Sequence, residues 1–178
     1  MRRYAPHVPS PPTVQEFRRA AGFLAGGITV VTTRLGEVDH AMTANSFTTV
    51  SLDPLLVLVC AERETRFLDA VLQSGRWGVS VLDATARDAA LWFATKGRPL
   101  DGQLERVAYR RGAATGSALL ACSLSTFECA TTATHDGGDH VIIVGQVLVA
   151  DVPEVEKAQE TGPLIYYRSR YVTLEPTS

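Results

Sequence analysis

The feature that most constrains this chain is the run Leu55-Leu56-Val57-Leu58-Val59-Cys60, stopped by Pro54 on one side and by the charges of Glu62-Arg63-Glu64 on the other. An apolar run this short, bounded in this way, predicts a strand buried on both faces. The stretch ahead of it, residues 40–51, is of the opposite kind. Thr43, Asn45, Ser46, Thr48, Thr49 and Ser51 carry short donors and acceptors at one- and two-residue spacing. In an extended chain they fall on both faces. Such a stretch either lines a polar pocket or forms an exposed, threonine-rich sheet face. The residues by themselves favour the exposed face.

The surrounding chain offers more strands than helices. Thr13-Val14-Gln15-Glu16 has the capping-box pattern, and Val14, Phe17, Ala21 and Leu24 follow on one helical face, with Gly26-Gly27 as the expected stop. Residues 28–33 are β-branched and, with the turn at 35–39, predict a hairpin running to Ser46. Phe67, Leu68, Val71 and Leu72 have helical spacing ahead of Gly75, and the alanine-rich residues 85–95 predict another helix. Between these two helices, Trp77, Val79 and Val81 alternate as in a half-buried strand. Residues 96–103 form a loop with Gly97, Pro99 and Gly102. Residues 107–110 are a short strand, and 123–135 and 140–153 are long strands joined at Asp136-Gly137-Gly138-Asp139, a hairpin signal. A polar excursion at 155–161 and a last strand or two over 166–174 complete the pattern. Consecutive strands without helices between them exclude a parallel sheet. The expectation is a mainly β chain: an antiparallel split β-barrel with two or three short flanking helices.

At 178 residues and 46% hydrophobic content, the chain suits one domain with a real core, expected over residues 13–176 behind a flexible proline-rich arm at 1–12. A net charge of −2 gives no reason to expect nucleic acid or an anionic membrane as partner. No apolar run approaches the roughly 20 residues of a membrane span, and Arg2-Arg3 precedes prolines rather than an apolar signal segment. Cys60, Cys122 and Cys129 form no C-x-x-C pair, which fits a reducing, cytoplasmic setting with buried structural thiols.

Met42-Thr43-Ala44-Asn45-Ser46-Phe47, followed by Val50-Ser51-Leu52-Asp53-Pro54, resembles the signature of the short-chain flavin reductase family, the reductase components of two-component flavin-dependent monooxygenases. Ser74-Gly75-Arg76-Trp77-Gly78-Val79-Ser80-Val81-Leu82, Phe93-Ala94, Phe127-Glu128-Cys129, Gly138-Asp139-His140 and Pro163-Leu164-Ile165-Tyr166-Tyr167-Arg168 resemble further family segments, in the same order. Together they span roughly Phe17 to Leu174. The resemblance implies an FMN-binding split barrel, usually a homodimer with flavin near the subunit interface. It also implies NADH or NADPH bound in a folded pose on the flavin, which needs no Rossmann unit; the chain has no Gly-x-Gly-x-x-Gly run. By the same resemblance, His140 lies beside the flavin and helps place the nicotinamide. From its position alone, after a turn and before an apolar strand, His140 is ordinarily a surface or cap residue.

A flavin site must hold a flat ring, hydrogen-bond its edges and neutralise a phosphate. Met42, Thr43, Ala44, Asn45 and Ser46 are candidates for the ring and ribityl chain, with Ala44 leaving space for the ring to lie close. The start of the helix at 66 offers backbone N–H groups with Thr65, Arg63 and Arg66 for a phosphate, or else is a capped helix with exposed charges. Glu62 and Glu64 count against the phosphate reading unless they point away. Lys96 and Arg98 are a second phosphate candidate, or a solvated loop. The family segments add Ser51, Leu52, Ala61, Phe93, Tyr167 and Arg168 as cofactor-binding candidates. His135 and His140 are near in sequence, but no cysteine or carboxylate cluster accompanies them and no metal is expected.

Departures from the family pattern include Ala41 for a frequent glycine, Leu55 for a second proline, Arg98-Pro99-Leu100-Asp101-Gly102 after Phe-Ala, and Ala118 in Thr115-Gly116-Ser117-Ala118-Leu119. The last two bear on the cofactor pockets. Three functions are consistent with this reading. The first is an NAD(P)H:flavin oxidoreductase that reduces FMN or FAD and passes it, by a transient or diffusive link, to a partner monooxygenase. The second is a flavin-storage module on the same fold. The third is a split-barrel enzyme that oxidises an amine or phosphate ester with bound FMN; the Gly-Asp-His and Tyr-Tyr-Arg segments favour the first over it. Hydride transfer needs stacking geometry rather than a strong acid or base, which agrees with the lack of a triad or paired carboxylates.

Overall fold

The computed structural model describes residues 10–152 and 160–174. Most of the arm and of the 155–161 excursion, and the last two residues of the 13–176 domain, lie outside the described residues. Within them the chain is mainly β with three α-helices.

The helices follow local sequence rules. In α1 (Val14–Ala21), Thr13 and Glu16 form a reciprocal capping box. The helix stops at Gly22, not at Gly26-Gly27; the latter pair is a two-residue strand, β1 (Gly26–Gly27). In α2 (Arg66–Ser74), the Thr65 hydroxyl accepts the Leu68 N–H, and Gly75 ends the helix in the left-handed region at φ 63°. In α3 (Arg87–Ala94), Ala89, Ala90 and Phe93 are buried.

The remaining strands are β2 (Thr29–Leu35), β3 (Val38–Ala44), β4 (Thr48–Leu52), β5 (Leu55–Glu62), β6 (Arg76–Leu82), β7 (Tyr109–Arg111), β8 (Ala118–Leu120), β9 (Ser123–Gly137), β10 (His140–Asp151), β11 (Leu164–Tyr167) and β12 (Arg170–Thr173). Seven of them form one antiparallel sheet in the order β3-β2-β6-β9-β10-β5-β4. Its two edge strands, β3 and β4, are joined in sequence by only Asn45, Ser46 and Phe47. A chain advances at most about 3.6 Å per residue, so three linking residues force the two edges together. The sheet therefore curls into a barrel, split where β3 and β4 fail to pair. The stretch 40–51 is thus divided between two strands on opposite lips of the split. The smaller pairings β1-β11-β12 and β7-β8 flank it.

The barrel has apolar residues inside and outside. Inside lie Val31, Val57, Val59, Trp77, Val79, Cys129 and Ile143, closed at one end by Phe67, Leu68 and Val71 of α2. Outside, Val30, Ala41 and Leu82 pack with Ala90 and Phe93 of α3 and with Leu120 and Leu164. β2 and β6 are buried on both faces, all of residues 29–33 and 77–80 being buried, so β6 is more deeply enclosed than the half-buried strand its alternation predicts. The strand expected to be buried on both faces, residues 55–60 in β5, is only half-buried. Val57, Val59 and Ala61 point into the barrel, whereas Leu55 is 52% exposed. β5 lies next to the sheet edge, and only its inner face has a core to meet. Burial forces the Cys129 thiol up to about 12, so it stays protonated at neutral pH, as a structural cysteine would.

Gly145 faces the fully buried Trp77 ring, and a Cβ at this position would overlap it. Gly145→Ala should destabilise the fold by about 1–3 kcal/mol through this overpacking. Urea denaturation checks it: the midpoint falls while the slope stays that of the parent.

Candidate functional site

A cleft of about 440 Å³ opens between β3, the end of β5, the first turn of α2, the loop after α3 and His140. Its size is within the range of small-molecule sites. Every residue from His40 to Ser46 contributes to its lining. A strand can present consecutive residues to one cavity only if its edge, rather than a face, borders that cavity.

Three interactions turn the β3 edge into a wall. Gln103 is buried, and its Nε2 donates to the Asp39 carbonyl at 2.5 Å. Arg98 Nη2 donates to the Ala41 carbonyl, and its Nη1 donates to the Phe93 carbonyl at 2.9 Å. Thr43 Oγ1 donates to the Ala90 carbonyl of α3 at 2.7 Å. The loop side chains thus replace the missing neighbouring strand for residues 39 and 41. Hydrogen-bonding directions alternate along an antiparallel strand, so the N–H and C=O of Thr43 point out of the same edge, into the cleft. The small side chains of Ala41 and Ala44 leave the backbone accessible there.

At the other lip, Cys60 N–H donates to Ser46 Oγ at 3.0 Å, and that hydroxyl donates to the Cys60 carbonyl at 3.3 Å. Ser46 continues the β4–β5 ladder by its side chain where the backbone has turned away. Thr65 Oγ1 donates to the Glu62 carbonyl at 2.8 Å and accepts from Leu68 N–H at 3.3 Å. Its hydroxyl is therefore a helix cap. Arg66 Nη2 donates to the Arg98 carbonyl at 2.5 Å, and Lys96 Nζ meets Glu62 Oε1 at 2.7 Å. His140 Nδ1 lies 2.7 Å from Asp139 Oδ1, which holds the Asp139 carboxyl below the usual aspartate range. This contact leaves Nε2 as the His140 nitrogen able to reach a ligand.

Eleven of the candidates line the cleft: Met42, Thr43, Ala44, Asn45, Ser46, Thr65, Arg66, Phe93, Lys96, Arg98 and His140. Six do not. Ser51 holds the Asp53 N–H in the β4–β5 turn, and Leu52 is 86% exposed on the outer surface. Ala61 points into the barrel core because it alternates with Cys60 and Glu62, which face the cleft. Arg63 Nε donates to the Gly138 carbonyl at 2.7 Å, and its guanidinium pairs with Asp136, tying β5 to the β9–β10 turn. Tyr167 packs edge-on against Phe23, and Arg168, in the β11–β12 turn, lies over the same ring at 5.2 Å.

The candidate set also lacked residues that the cleft contains, His40, Cys60, Glu64 and Leu100 among them. His40 lies two and four residues before Met42 and Ala44, on the same face of β3, and that alternation was the available signal. Burial, and next the nearby Arg66, keep its pKa below the ordinary histidine value, so its imidazole is neutral at neutral pH. Glu62 and Glu64 both line the cleft, and the Glu62 carboxylate meets Lys96 there. Among the described residues, no three His, Cys, Asp or Glu are grouped so as to hold a metal, and no helix is long and apolar enough to cross a membrane.

The family described as "Flavin reductase like domain" matches residues 21–175. The chain belongs to that family. It is 39% identical, over 162 residues, to the NADH-dependent FMN reductase AsuE2 of Streptomyces nodosus subsp. asukaensis, covering 90% of this chain and 84% of that one. It is 34% identical, over 161 residues, to HsaB, the reductase subunit of a flavin-dependent monooxygenase of Mycobacterium tuberculosis (strain CDC 1551 / Oshkosh), with 90% and 82% covered. Its fold is similar to that of BorF, the flavin reductase component of a bacterial two-component tryptophan halogenase. The TM-score is 0.84 at 40% identity, over 93% of this chain and 100% of BorF.

Arg98 is half-buried, its Nε and Nη2 also reach Gln103 Oε1 at 3.3 and 3.2 Å, and burial lowers its pKa. Arg98→Met would remove these bonds and leave the Ala41 carbonyl and Gln103 Oε1 without the guanidinium. The expected loss is about 2–4 kcal/mol of stability, the upper part of the range for a broken buried network. Arg98→Lys should rescue only a minor part of it, because an ammonium cannot span the same acceptors. Thermal and urea unfolding of both variants measures this.

Proposed function

We propose that this chain is an NAD(P)H:flavin oxidoreductase that reduces FMN or FAD and supplies the reduced flavin to a separate flavin-dependent monooxygenase. The observation that carries the reading is the free β3 edge, with His140 lining the same cleft, in a chain of the flavin reductase family. Its relatives' names point the same way: one is an NADH-dependent FMN reductase, and others are reductase components of a monooxygenase and of a halogenase. Nothing in those names favours the storage alternative.

The residues suit a flavin. The Thr43 N–H and C=O offer a donor–acceptor pair to a ring edge, and Asn45 offers an amide beside them. Ala41 and Ala44 allow close approach, and Phe93 is part of the apolar lining. Arg66 and the first turn of α2 are placed for a phosphate. When bound, the flavin supplies the hydride-accepting chemistry, and the protein is left to position the two nucleotides and exclude water. His140, with Nδ1 held by Asp139, turns Nε2 toward the ligand and orients the nicotinamide. Ser51, Leu52, Ala61, Arg63, Tyr167 and Arg168 have no direct part in this reading.

We also infer a cytoplasmic homodimer. Leu52 is 86% exposed, Leu55 52% and Val50 50%, and the neighbouring Leu148 on β10 is 40% exposed. They lie on the adjacent strands β4, β5 and β10, an apolar surface of the kind that a second subunit covers. The α1 helix buries none of its residues within this chain, Phe17 being 64% exposed. Light scattering at micromolar concentration should give about twice the 19.2 kDa chain mass; a monomer that still binds flavin tightly would contradict the dimer.

Steady-state oxidation of NADH and NADPH with added FMN, FAD or riboflavin tests the activity, and failure with both nicotinamides would overturn it. Anaerobic stopped-flow reduction tests His140. His140→Ala should slow reduction by around a hundredfold, because a small displacement of the donor has an effect of that order. Flavin affinity should stay near that of the parent. Equal rates in the two proteins would leave His140 as the first residue of a strand and nothing more.

A further inference from the structure

The cleft is mixed in charge exactly where an anion-binding site would be expected to be basic. Arg66, Lys96 and Arg98 line it together with Glu62 and Glu64. The Arg98 guanidinium is committed to the carbonyls of Phe93 and Ala41 and to Gln103. Of the three cations, Arg66 and Lys96 remain, and each already has a partner. Arg66 bonds the Arg98 carbonyl, and Lys96 pairs with the Glu62 carboxylate.

Glu62 cannot leave this position by a backbone shift. Its Cα is in register with His140 across β5 and β10, and its carbonyl accepts the Thr65 hydroxyl that caps α2. The Glu62 backbone is therefore fixed in the wall, beside the helix start, and its carboxylate meets Lys96 from there. Its partner Lys96 belongs to the loop after α3 and is the more exposed member of the pair, 79% at the side chain against 40% for Glu62.

We propose that Glu62 is a built-in competitor of the flavin phosphate: it holds Lys96 when the cleft is empty and weakens phosphate binding, so that flavin is an exchangeable substrate and not a fixed prosthetic group. The proposal rests on the flavin reductase reading. A phosphate monoester has nearly two negative charges at neutral pH. To pair with Lys96 it must displace the Glu62 carboxylate, and it must then remain close to that carboxylate and to Glu64. Riboflavin has no phosphate and is indifferent to both. A reductase that hands its product to a second protein needs a flavin that leaves, and a resident carboxylate in the phosphate subsite gives that exchange without weakening the hold on the ring.

Fluorescence titration of FMN and riboflavin into the full chain and into Glu62→Gln, with stopped-flow dissociation of FMN, tests this. Glu62→Gln should bind FMN roughly three- to tenfold tighter and release it correspondingly more slowly, the size expected for removing a partly exposed charge near a doubly charged group. Riboflavin affinity should not change, and added salt should narrow the FMN difference. Glu62→Lys should extend the gain. Lys96→Met should weaken FMN and leave riboflavin alone. Far-UV circular dichroism checks that each variant is folded. FMN affinity that is unchanged or lower in both Glu62 variants overturns the proposal, as does an equal gain for riboflavin. If the parent chain binds neither FMN nor riboflavin, the flavin reading itself falls. If the parent binds FMN and Glu62→Gln gains nothing, only the role of Glu62 falls.

Discussion

The structure depends on how the edge of β3 is satisfied. An edge strand presents a row of N–H and C=O groups that must find partners or water. Here the carbonyls of Asp39 and Ala41 are taken by Gln103 and Arg98, and the Thr43 side chain ties β3 to α3. The edge is thereby closed along part of its length and left open at the residues that border the cleft. Pairing a further strand along it would have filled the site with backbone. Leaving all of it bare would have left the loop after α3 without an anchor.

The same economy explains why so many hydroxyls of the signature stretch have structural duties. Ser46 extends the β4–β5 ladder, Thr43 bonds α3, and Thr65 caps α2. Backbone groups, the Asn45 amide and the cations Arg66 and Lys96 remain along the cleft, with His140 lining it from the β9–β10 hairpin. That hairpin is held to β5 by Arg63 through Gly138 and Asp136. Arg63 thus acts on the cleft only through the position of His140.

Two kinds of residue in the cleft were legible beforehand. The motif residues from Met42 to Ser46, with His140 and Phe93, were found because a resemblance indicated them. Arg66 was found because a cation beside a helix start is a physical signal, and Lys96 and Arg98 because two cations in a loop are a second place for a phosphate. Ala61 and Arg63 were misplaced for a simple reason: adjacent residues of a strand face opposite ways, and the sequence alone did not say which parity of β5 faces the cleft. Tyr167 and Arg168 went to Phe23, a partner nearly 150 residues earlier in the chain, which no local pattern reveals.

The sequence by itself determined the antiparallel, mainly β class, the capped helices and the hairpins. These follow from short-range chemistry: Thr13 with Glu16, Thr65 with Leu68, Gly75 in a left-handed cap, and the Asp-Gly turn before His140. It also determined that the chain has no membrane-length apolar segment and no dinucleotide fingerprint. Tertiary structure alone decided that β2, and not β5, is buried on both faces, because that depends on which strand lies between α3 and the barrel interior. It decided that Glu62 lines the cleft and meets Lys96 there, since strand parity sets it opposite to Ala61. It decided, finally, that the polar stretch borders a cavity with its edge. Closing the barrel through three residues, Asn45 to Phe47, leaves the two lips of the split unpaired, and that geometry belongs to the whole sheet rather than to any segment of it.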